Sequence, residues 1–167
     1  MGTQGATGAM EILFGSNTVQ VIQKSAVPVL VIPNDFEYEP PRNILFPTDY
    51  EVDYQKAHLD FLLKFSKLEH SKLHILHISS PEGLDEGQVN QKVRLEGKLL
   101  EHNHEFYDLP DQELIPAINA FQEKHPVELL VMVKNKHSFL ERLFLDPVIK
   151  KIGLYSKVPF MVLPYTN

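Results

Sequence analysis

The sequence predicts an α/β fold, with a parallel sheet covered by helices on both faces. Two observations support this prediction. Short, continuously apolar runs recur along the chain, which is typical of strands buried on both faces. From Asn43 onward, segments with helical spacing separate these runs in the order β-α-β-α-β-α-β-α-β. Alternating strands and helices form a parallel sheet, so residues 43–167 are expected to be one complete five-stranded domain.

Residues 1–33 are expected to contain only the end of a similar domain. A helix is predicted from Asn17 to Ala26, and the strand VPVLVIP follows from Val27 to Pro33. The residues expected on one side of this helix are Val19, Ile22 and Ala26. Residues 34–42 are acidic and contain prolines, which is typical of a linker.

Five strands and four helices are predicted in the complete domain. The strands are Asn43 to Asp49, Lys72 to Ser79, His104 to Leu109, Val127 to Val133 and Val158 to Pro164. The helices are Asp53 to Glu69, Gln88 to Glu101, Asp111 to His125 and Asp146 to Lys157. The residues expected to face inward are Ala57, Phe61, Phe65 and Leu68 in the first helix, and Leu114, Ile118 and Phe121 in the third.

Composition excludes several classes of function. The chain has 167 residues, a net charge of -6 and no cluster of lysine and arginine, which argues against a nucleic-acid partner. It has no cysteine, so disulfides, thiolate metal sites and a cysteine nucleophile are excluded. No apolar run approaches the roughly 18 residues that a membrane span requires. A cytoplasmic protein with neither a membrane nor a nucleic-acid partner is expected.

An internal repeat links the two ends of the chain. Ser25 to Pro33 (SAVPVLVIP) match Ser156 to Pro164 (SKVPFMVLP). The offset of 131 positions, as between Pro28 and Pro159, continues without a gap back to Met1. Within this match the identical positions of the first copy are Ser25, Val27, Pro28, Val31 and Pro33. Residues 1–33 are therefore interpreted as the end of a first copy of the domain that follows.

Glycines near the N-terminus have a spacing typical of a phosphate-binding loop. Gly2 and Gly5 precede Gly15, Ser16 and Asn17, where the first helix is predicted to begin. Glycine lets backbone N–H groups approach phosphate oxygens closely. In the second copy, the counterparts of the three glycines and the serine are Val133, Lys136, Asp146 and Pro147. A carboxylate and a residue without an N–H oppose phosphate binding, so the second copy is not expected to hold a triphosphate in this manner.

The glycine spacing and the repeated domain end resemble the universal stress protein family, in particular its tandem-domain members. The resemblance implies a Rossmann-like sheet of strand order 3-2-1-4-5, with a ligand at the point where the order reverses. It implies that intact relatives are non-enzymatic stress-response regulators that bind ATP, with magnesium as a companion ion. It also implies that the ribose and phosphates contact the first-copy residues Gly2, Gly5, Gly15, Ser16 and Asn17.

In the complete domain, the resemblance places the adenine side of a site at the ends of the first two strands. Pro47 and Asp49 belong to the sequence PTD that ends the first strand, and Ile78 follows His77 at the end of the second. Asp49 is expected either to contact adenine or to cap the turn into the next helix. Neither copy has both halves of an ATP site. Nucleotide binding by this chain is therefore expected to be weak or absent, unless two chains complete one site between them.

Other candidate residues have simpler interpretations. His102 and His104 have the spacing of a metal-binding pair, but no third ligand is apparent, so no metal is expected. Lys134 to His137 can form an anion site or an exposed loop, and Ser138 to Leu145 can form a short helix or a contact surface. No Ser-His-Asp arrangement or pair of carboxylates identifies a catalyst, so an enzyme is not expected.

Two functions are left open. The first is a stress-response binding protein of the adenine-nucleotide type. The second is an assembly module, because Val27 to Pro33 and Val158 to Pro164 are both predicted edge strands, and unprotected edges attract partners. Family members pair through their last strand, so these two strands are expected to lie antiparallel within one chain or to mediate self-association. An ATP hydrolase would need a complete phosphate site and a base, and the sequence indicates neither.

Overall fold

The computed structural model describes residues 2–3, 16–33, 36–110, 112–134 and 158–165. Within them, the strands are β1 (Gly2–Thr3), β2 (Val29–Pro33), β3 (Asn43–Thr48), β4 (Lys72–Ser79), β5 (His104–Pro110), β6 (Leu129–Val133) and β7 (Phe160–Leu163). The helices are α1 (Ser16–Lys24), α2 (Leu59–Leu68), α3 (Glu86–Leu99) and α4 (Leu114–Lys124). The predicted helix from Asp146 to Lys157 and the segment from Ser138 to Leu145 lie outside the described residues.

All described strands belong to one sheet, in the order β1-β2-β7-β6-β3-β4-β5. The five strands from β3 to β7 are parallel where they pair with one another. Numbered along the chain from β3, they have the order 3-2-1-4-5, so the predicted α/β fold is confirmed. The order reverses between β3 and β6, which is where ligands bind in open sheets of this kind.

β2 extends this sheet because it pairs antiparallel with β7. The pairing within one chain that the sequence predicted is therefore present. β1 adds a further, parallel partner to β2, with Gly2 opposite Ile32. Val133 lies opposite Leu163 in the same way between β6 and β7. These two pairs are related by the offset of 131 positions, so the repeat in the sequence is also a repeat in strand register. The division of the chain into a domain fragment, a linker and a complete domain stays a prediction.

The two faces of the sheet are covered by different helices. On one face, buried residues of α2 and α3, including Leu62 and Leu95, pack with strand residues such as Met161 and Leu163. On the other face, Ile22 of α1 packs in a cluster with buried residues of α4 and of β2, β6 and β7. Both clusters cross several strands, and this explains why the strands are apolar on both sides.

The sequence placed the start and the inward face of α2 incorrectly. The helix begins at Leu59 rather than Asp53, because Ala57 forms an isolated bridge with Tyr165 and the His58 N–H donates to the Pro164 carbonyl at 3.3 Å. The helix then buries Leu59, Leu62 and Ser66. Of the four residues predicted to face inward, Ala57 is buried and Phe65 packs against the core, but Phe61 and Leu68 are 46% and 75% exposed. The side of the helix with Leu59 and Leu62 and the side with Phe61 and Leu68 are both apolar. The hydrogen bond from His58 to Pro164, just after β7, decides which side faces the sheet.

The other helices deviate less from the predictions. α4 buries Ile118 and Phe121, as predicted, and Leu114 packs against the same cluster. α1 ends at Lys24, so the prediction that Ala26 lies on its inward side was wrong: Ala26 follows the helix and is exposed.

Lys134 connects α1 to the complete domain. It follows β6, and its ammonium group donates to the backbone carbonyls of Ile22, Gln23 and Ser25 at 3.2, 3.0 and 2.8 Å. A cation at a helix carboxyl end satisfies carbonyls that have no partner within the helix and opposes the negative end of the helix dipole. Lys134 therefore holds α1 against the end of β6, and the other residues of the predicted anion site or exposed loop, 135–137, lie outside the described residues.

Candidate functional site

The candidate site lies at the carboxyl ends of β3 and β4, beside the point where the strand order reverses. Pro47 is buried near the end of β3, and Asp49 follows that strand directly. Ile78 is half-buried near the end of β4. The structure thus brings together the three residues that were predicted for the adenine side.

Asp49 has a structural role in its own loop. Its Oδ1 accepts a hydrogen bond from the Glu51 N–H at 3.0 Å, which is the geometry of a turn closed by an aspartate. The sequence predicted that Asp49 either caps a turn or contacts a ligand, and the capping interaction is present. A ligand contact by the same carboxylate stays a proposal.

Gln88 connects the backbone directly after β3, at Asp49, to the first turn of α3. Its backbone N–H donates to Asp85 Oδ1 at 2.8 Å, and its Oε1 accepts from the Asp85 N–H at 3.0 Å, which together form a capping box. Its remaining amide group, Nε2, donates to the Asp49 carbonyl at 2.9 Å. One side chain therefore fixes both the start of α3 and the backbone at the end of β3.

Tyr50 and His77 form the buried centre of the site. Tyr50 has a φ of 58°, in the left-handed region that bulky residues rarely adopt. Its ring lies 4.6 Å from the His77 ring, measured between centroids. Burial raises the pKa of Tyr50 well above its ordinary value, and the nearby carboxylates of Asp108 and Glu96 add to this effect. The phenol is therefore neutral and lies in a negative local potential.

The tautomer of His77 follows from its partner. Nδ1 lies 3.0 Å from the Thr48 carbonyl, which can only accept a hydrogen bond, so Nδ1 has the proton. Nε2 of a neutral ring is then an acceptor. His77 is 5% exposed, and Nε2 is buried without a hydrogen-bond partner among the residues that the structure describes. Such unpaired buried atoms are rare and call for an explanation.

Tyr54 stabilises the loop that follows β3. It is fully buried, and its hydroxyl group is hydrogen-bonded to the Thr48 side chain, whose Oγ1 also accepts from the Tyr50 N–H at 3.1 Å. Burial raises the pKa of Tyr54 above its ordinary value, so this hydroxyl stays protonated. Sequence reasoning missed both tyrosines. The available signal was their spacing of four residues directly after PTD, in the sequence PTDYEVDY.

The residues predicted to bind phosphate lie elsewhere. Gly2 is in β1, Ser16 is the first residue of α1 and Asn17 is exposed beside it, while Gly5 and Gly15 lie outside the described residues. Three strands lie between β1 and β3. The distance between the two is therefore four strand spacings, or about 19 Å. The structure therefore does not bring Gly2 together with Pro47, Asp49 and Ile78.

The predicted pair His102 and His104 makes contacts within the protein. His102 Nδ1 lies 3.4 Å from Ser66 Oγ, and His104 Nδ1 donates to the His102 carbonyl at 2.9 Å. No group of three or more candidate metal ligands occurs in the part of the chain that the structure describes. As their odd separation predicts, His74 and His77 lie on opposite faces of the sheet: His74 packs against Phe121 and His77 against Tyr50.

No helix among the described residues is long and apolar enough to cross a membrane. Comparison with models of protein families gives no match, and comparison with curated proteins gives none either.

Solved structures do resemble the chain. A universal stress protein from Archaeoglobus fulgidus DSM 4304 has 22% sequence identity and a TM-score of 0.62, over 100% of this chain and 60% of that one. A putative universal stress protein from Pseudomonas aeruginosa UCBPP-PA14 has 10% identity and a TM-score of 0.65, over 99% and 62% of the two chains. This chain thus spans about three fifths of the length of these two proteins.

A shorter structure also matches. It is a universal stress protein in complex with cAMP, with 13% identity and a TM-score of 0.54, over 77% of this chain and 100% of that one. Together these likenesses show that the chain has the fold found in universal stress proteins.

Proposed function

We propose that the chain is a universal-stress-type, non-enzymatic regulatory protein of the cytoplasm that binds the adenine part of a nucleotide at the carboxyl ends of β3 and β4. The observation that supports this most is the position of Pro47, Asp49 and Ile78 at the reversal of strand order, in a fold shared with a protein solved in complex with cAMP. Binding of ATP with magnesium belongs to an intact two-domain relative.

The surroundings of the site favour a nucleoside over a triphosphate. The predicted phosphate residues that the structure describes lie in β1 and at the start of α1, and three strands lie between β1 and β3. Asp49 and Asp108 lie at the ends of β3 and β5, where their negative charges repel phosphate groups. We therefore expect the affinity for adenosine to equal or exceed that for ATP.

Isothermal titration of the chain with adenosine, AMP and ATP, in the presence of magnesium, tests this function. The variant Asp49→Ala is compared with Asp53→Ala, a matched control whose Oδ1 also closes a turn, by accepting from the Gln55 N–H at 3.0 Å. Loss of binding in Asp49→Ala alone supports the proposal. Absence of binding heat from the wild type at millimolar ligand contradicts it.

A second function, self-assembly, has separate support. The predicted edge strands β2 and β7 pair with each other, so self-association has to use other surfaces of this region. Leu30 and Ile32 of β2 are 39% and 36% exposed, on the face where Met161 and Leu163 of β7 are buried. Exposed apolar surface of this kind is typical of an interface.

Sedimentation equilibrium of the wild type and of Leu30→Ser/Ile32→Ser tests the assembly function. We expect the wild type to form dimers or larger species and the double variant to be monomeric. Leu68→Ser is the control, because Leu68 is exposed on α2 and is not part of this face. A monomeric wild type at high micromolar concentration contradicts self-assembly.

A further inference from the structure

Two unusual features of the site coincide at one contact. Tyr50 has a left-handed backbone conformation, and its ring covers His77, whose Nε2 is a buried acceptor without a partner among the described residues. Strained backbone of this kind tends to occur at ligand sites. An unpaired buried acceptor is costly, and a donor that another state of the protein provides would remove this cost.

We propose that the Tyr50 side chain is a gate that covers a nucleobase site in one state of the protein and uncovers it in another. His77 Nε2 then accepts a hydrogen bond from an amino group of the base. This inference rests on the proposed binding of an adenine compound at the same strands. In the closed state the Tyr50 ring occupies the position of a flat ligand beside His77. When the gate opens, an aminopurine takes the place of the ring and donates to Nε2.

The chemistry of the ligand follows from the groups around Tyr50. The Thr48 carbonyl fixes a proton on His77 Nδ1, so Nε2 of the neutral ring is an acceptor. Asp108 and Glu96 give the surroundings a negative potential, and Lys92 Nζ lies 5.9 Å from the centre of the Tyr50 ring. A flat, uncharged ring with N–H donors fits this environment. An oxopurine has a carbonyl acceptor at the position of the amino group, so we expect it to bind less tightly.

The strand register places these groups side by side. His77 is paired with Thr48 of β3 on one side and with Asp108 of β5 on the other. Thr48 and His77 both contact Tyr50, through the Thr48 hydroxyl group and the His77 ring. Removal of the Tyr50 side chain therefore uncovers His77 without removing a strand residue.

The test compares the affinity of four proteins for adenosine and inosine by isothermal titration: the wild type, Tyr50→Gly, Tyr50→Phe and Tyr50→Gly/His77→Phe. Glycine at this position removes the ring and adopts a positive φ without strain. We expect Tyr50→Gly to bind adenosine at least about tenfold more tightly than the wild type, since the closed state no longer competes. We expect Tyr50→Phe to bind like the wild type, and the double variant to lose both the gain and the preference for adenosine over inosine.

The outcomes separate this inference from the proposed function. If the wild type binds adenosine and Tyr50→Gly binds no better, Tyr50 is a core residue only, and the gate is wrong while the function stands. If Tyr50→Gly alone binds, the gate stands and the unmodified chain lacks the function. If neither binds, both proposals are wrong.

A measurement on the wild type tests the role of His77 even if a variant does not fold. The ¹⁵N resonances of the His77 ring report which nitrogen has the proton and whether Nε2 gains a donor. We expect a protonated Nδ1 throughout and a shift of the Nε2 resonance on addition of adenosine. An Nε2 resonance that is unchanged at saturating adenosine overturns the role of His77.

Discussion

Leu30 lies directly opposite Met161 across the antiparallel pair of β2 and β7, and the two residues are also counterparts in the internal repeat. The flanking pairs are symmetric about this one: Val29 lies opposite Val162 and Val31 opposite Phe160, while the repeat counterparts of Val29 and Val31 are Phe160 and Val162. The two copies of the strand are therefore related by a local twofold axis through the Leu30–Met161 pair, as in the isologous interface of a homodimer. Met161 is 3% exposed and packs in one cluster with residues of α2, whereas Leu30 is 39% exposed.

The register of this pair can be tested with an engineered disulfide. The chain has no cysteine, so Leu30→Cys/Met161→Cys introduces a single pair of thiols. Opposite residues of antiparallel strands have Cα atoms within the distance that a disulfide requires. We expect rapid crosslinking under mild oxidation, measured by intact mass after alkylation. In the control Leu30→Cys/Val162→Cys the side chains lie on opposite faces, and equally rapid crosslinking there would contradict the register.

Lys134→Met tests the connection between the two copies. The substitution keeps the length of the side chain but removes three hydrogen bonds to the carboxyl end of α1. We expect a loss of about 1–2 kcal/mol in the free energy of unfolding, measured in urea, and faster amide exchange in α1. Lys98→Met is the control, because it removes an ion pair with Asp60 and is expected to cost at most about 0.5 kcal/mol. Equal losses in the two variants would show that Lys134 has no special role.

Gln88→Glu separates the capping of α3 from the support of the site. A glutamate at this position of a capping box still accepts from the Asp85 N–H, so α3 should keep its stability. It cannot donate to the Asp49 carbonyl. We expect weaker adenosine binding with a midpoint of thermal unfolding within a few degrees of the wild type. If the affinity is unchanged, the tie between Gln88 and Asp49 does not position the site.

The pH dependence of stability tests the environment of His74. Burial lowers the pKa of His74, the charges of Lys72 and His125 lower it further, and Glu105 opposes them. The unfolded chain therefore binds a proton more readily than the folded chain, and stability falls as the pH drops through about 6.5. We expect urea unfolding to show this loss between about pH 7 and pH 5, and His74→Gln to reduce the slope. A slope that is the same in His74→Gln as in the wild type would contradict this account.

Much of the fold could be predicted from the sequence. Strands buried on both faces are apolar throughout, so β3, β4 and β6 are recognised without knowledge of their partners. The antiparallel pairing of β2 with β7 could be expected because the two strands are copies and both were predicted to be edge strands. The inward face of α2 could not be predicted, because Phe61 and Leu62 lie on two different apolar sides of the helix. The hydrogen bond of His58 with the distant Pro164 decides which side is buried.

The centre of the site could be predicted only in part. Pro47, Asp49 and Ile78 were assigned through the resemblance of PTD and of the end of the second strand to universal stress proteins, and β3 and β4 do lie side by side. The contact of Tyr50 with His77 was not, because it depends on a positive φ at Tyr50 that the sequence does not specify for a tyrosine. The role of Lys134 was missed for a similar reason, since its three carbonyl partners are more than 100 residues away in the chain.

The most direct test of the proposed function is a titration of the ¹⁵N-labelled chain with adenosine, followed by amide chemical shifts. We predict saturable shifts that are confined to the ends of β3 and β4, at residues 48–51 and 77–79, and to the start of α3 near Gln88. Shifts that are absent, or that occur mainly at α1 and β2, would contradict the assignment of adenine binding to this site.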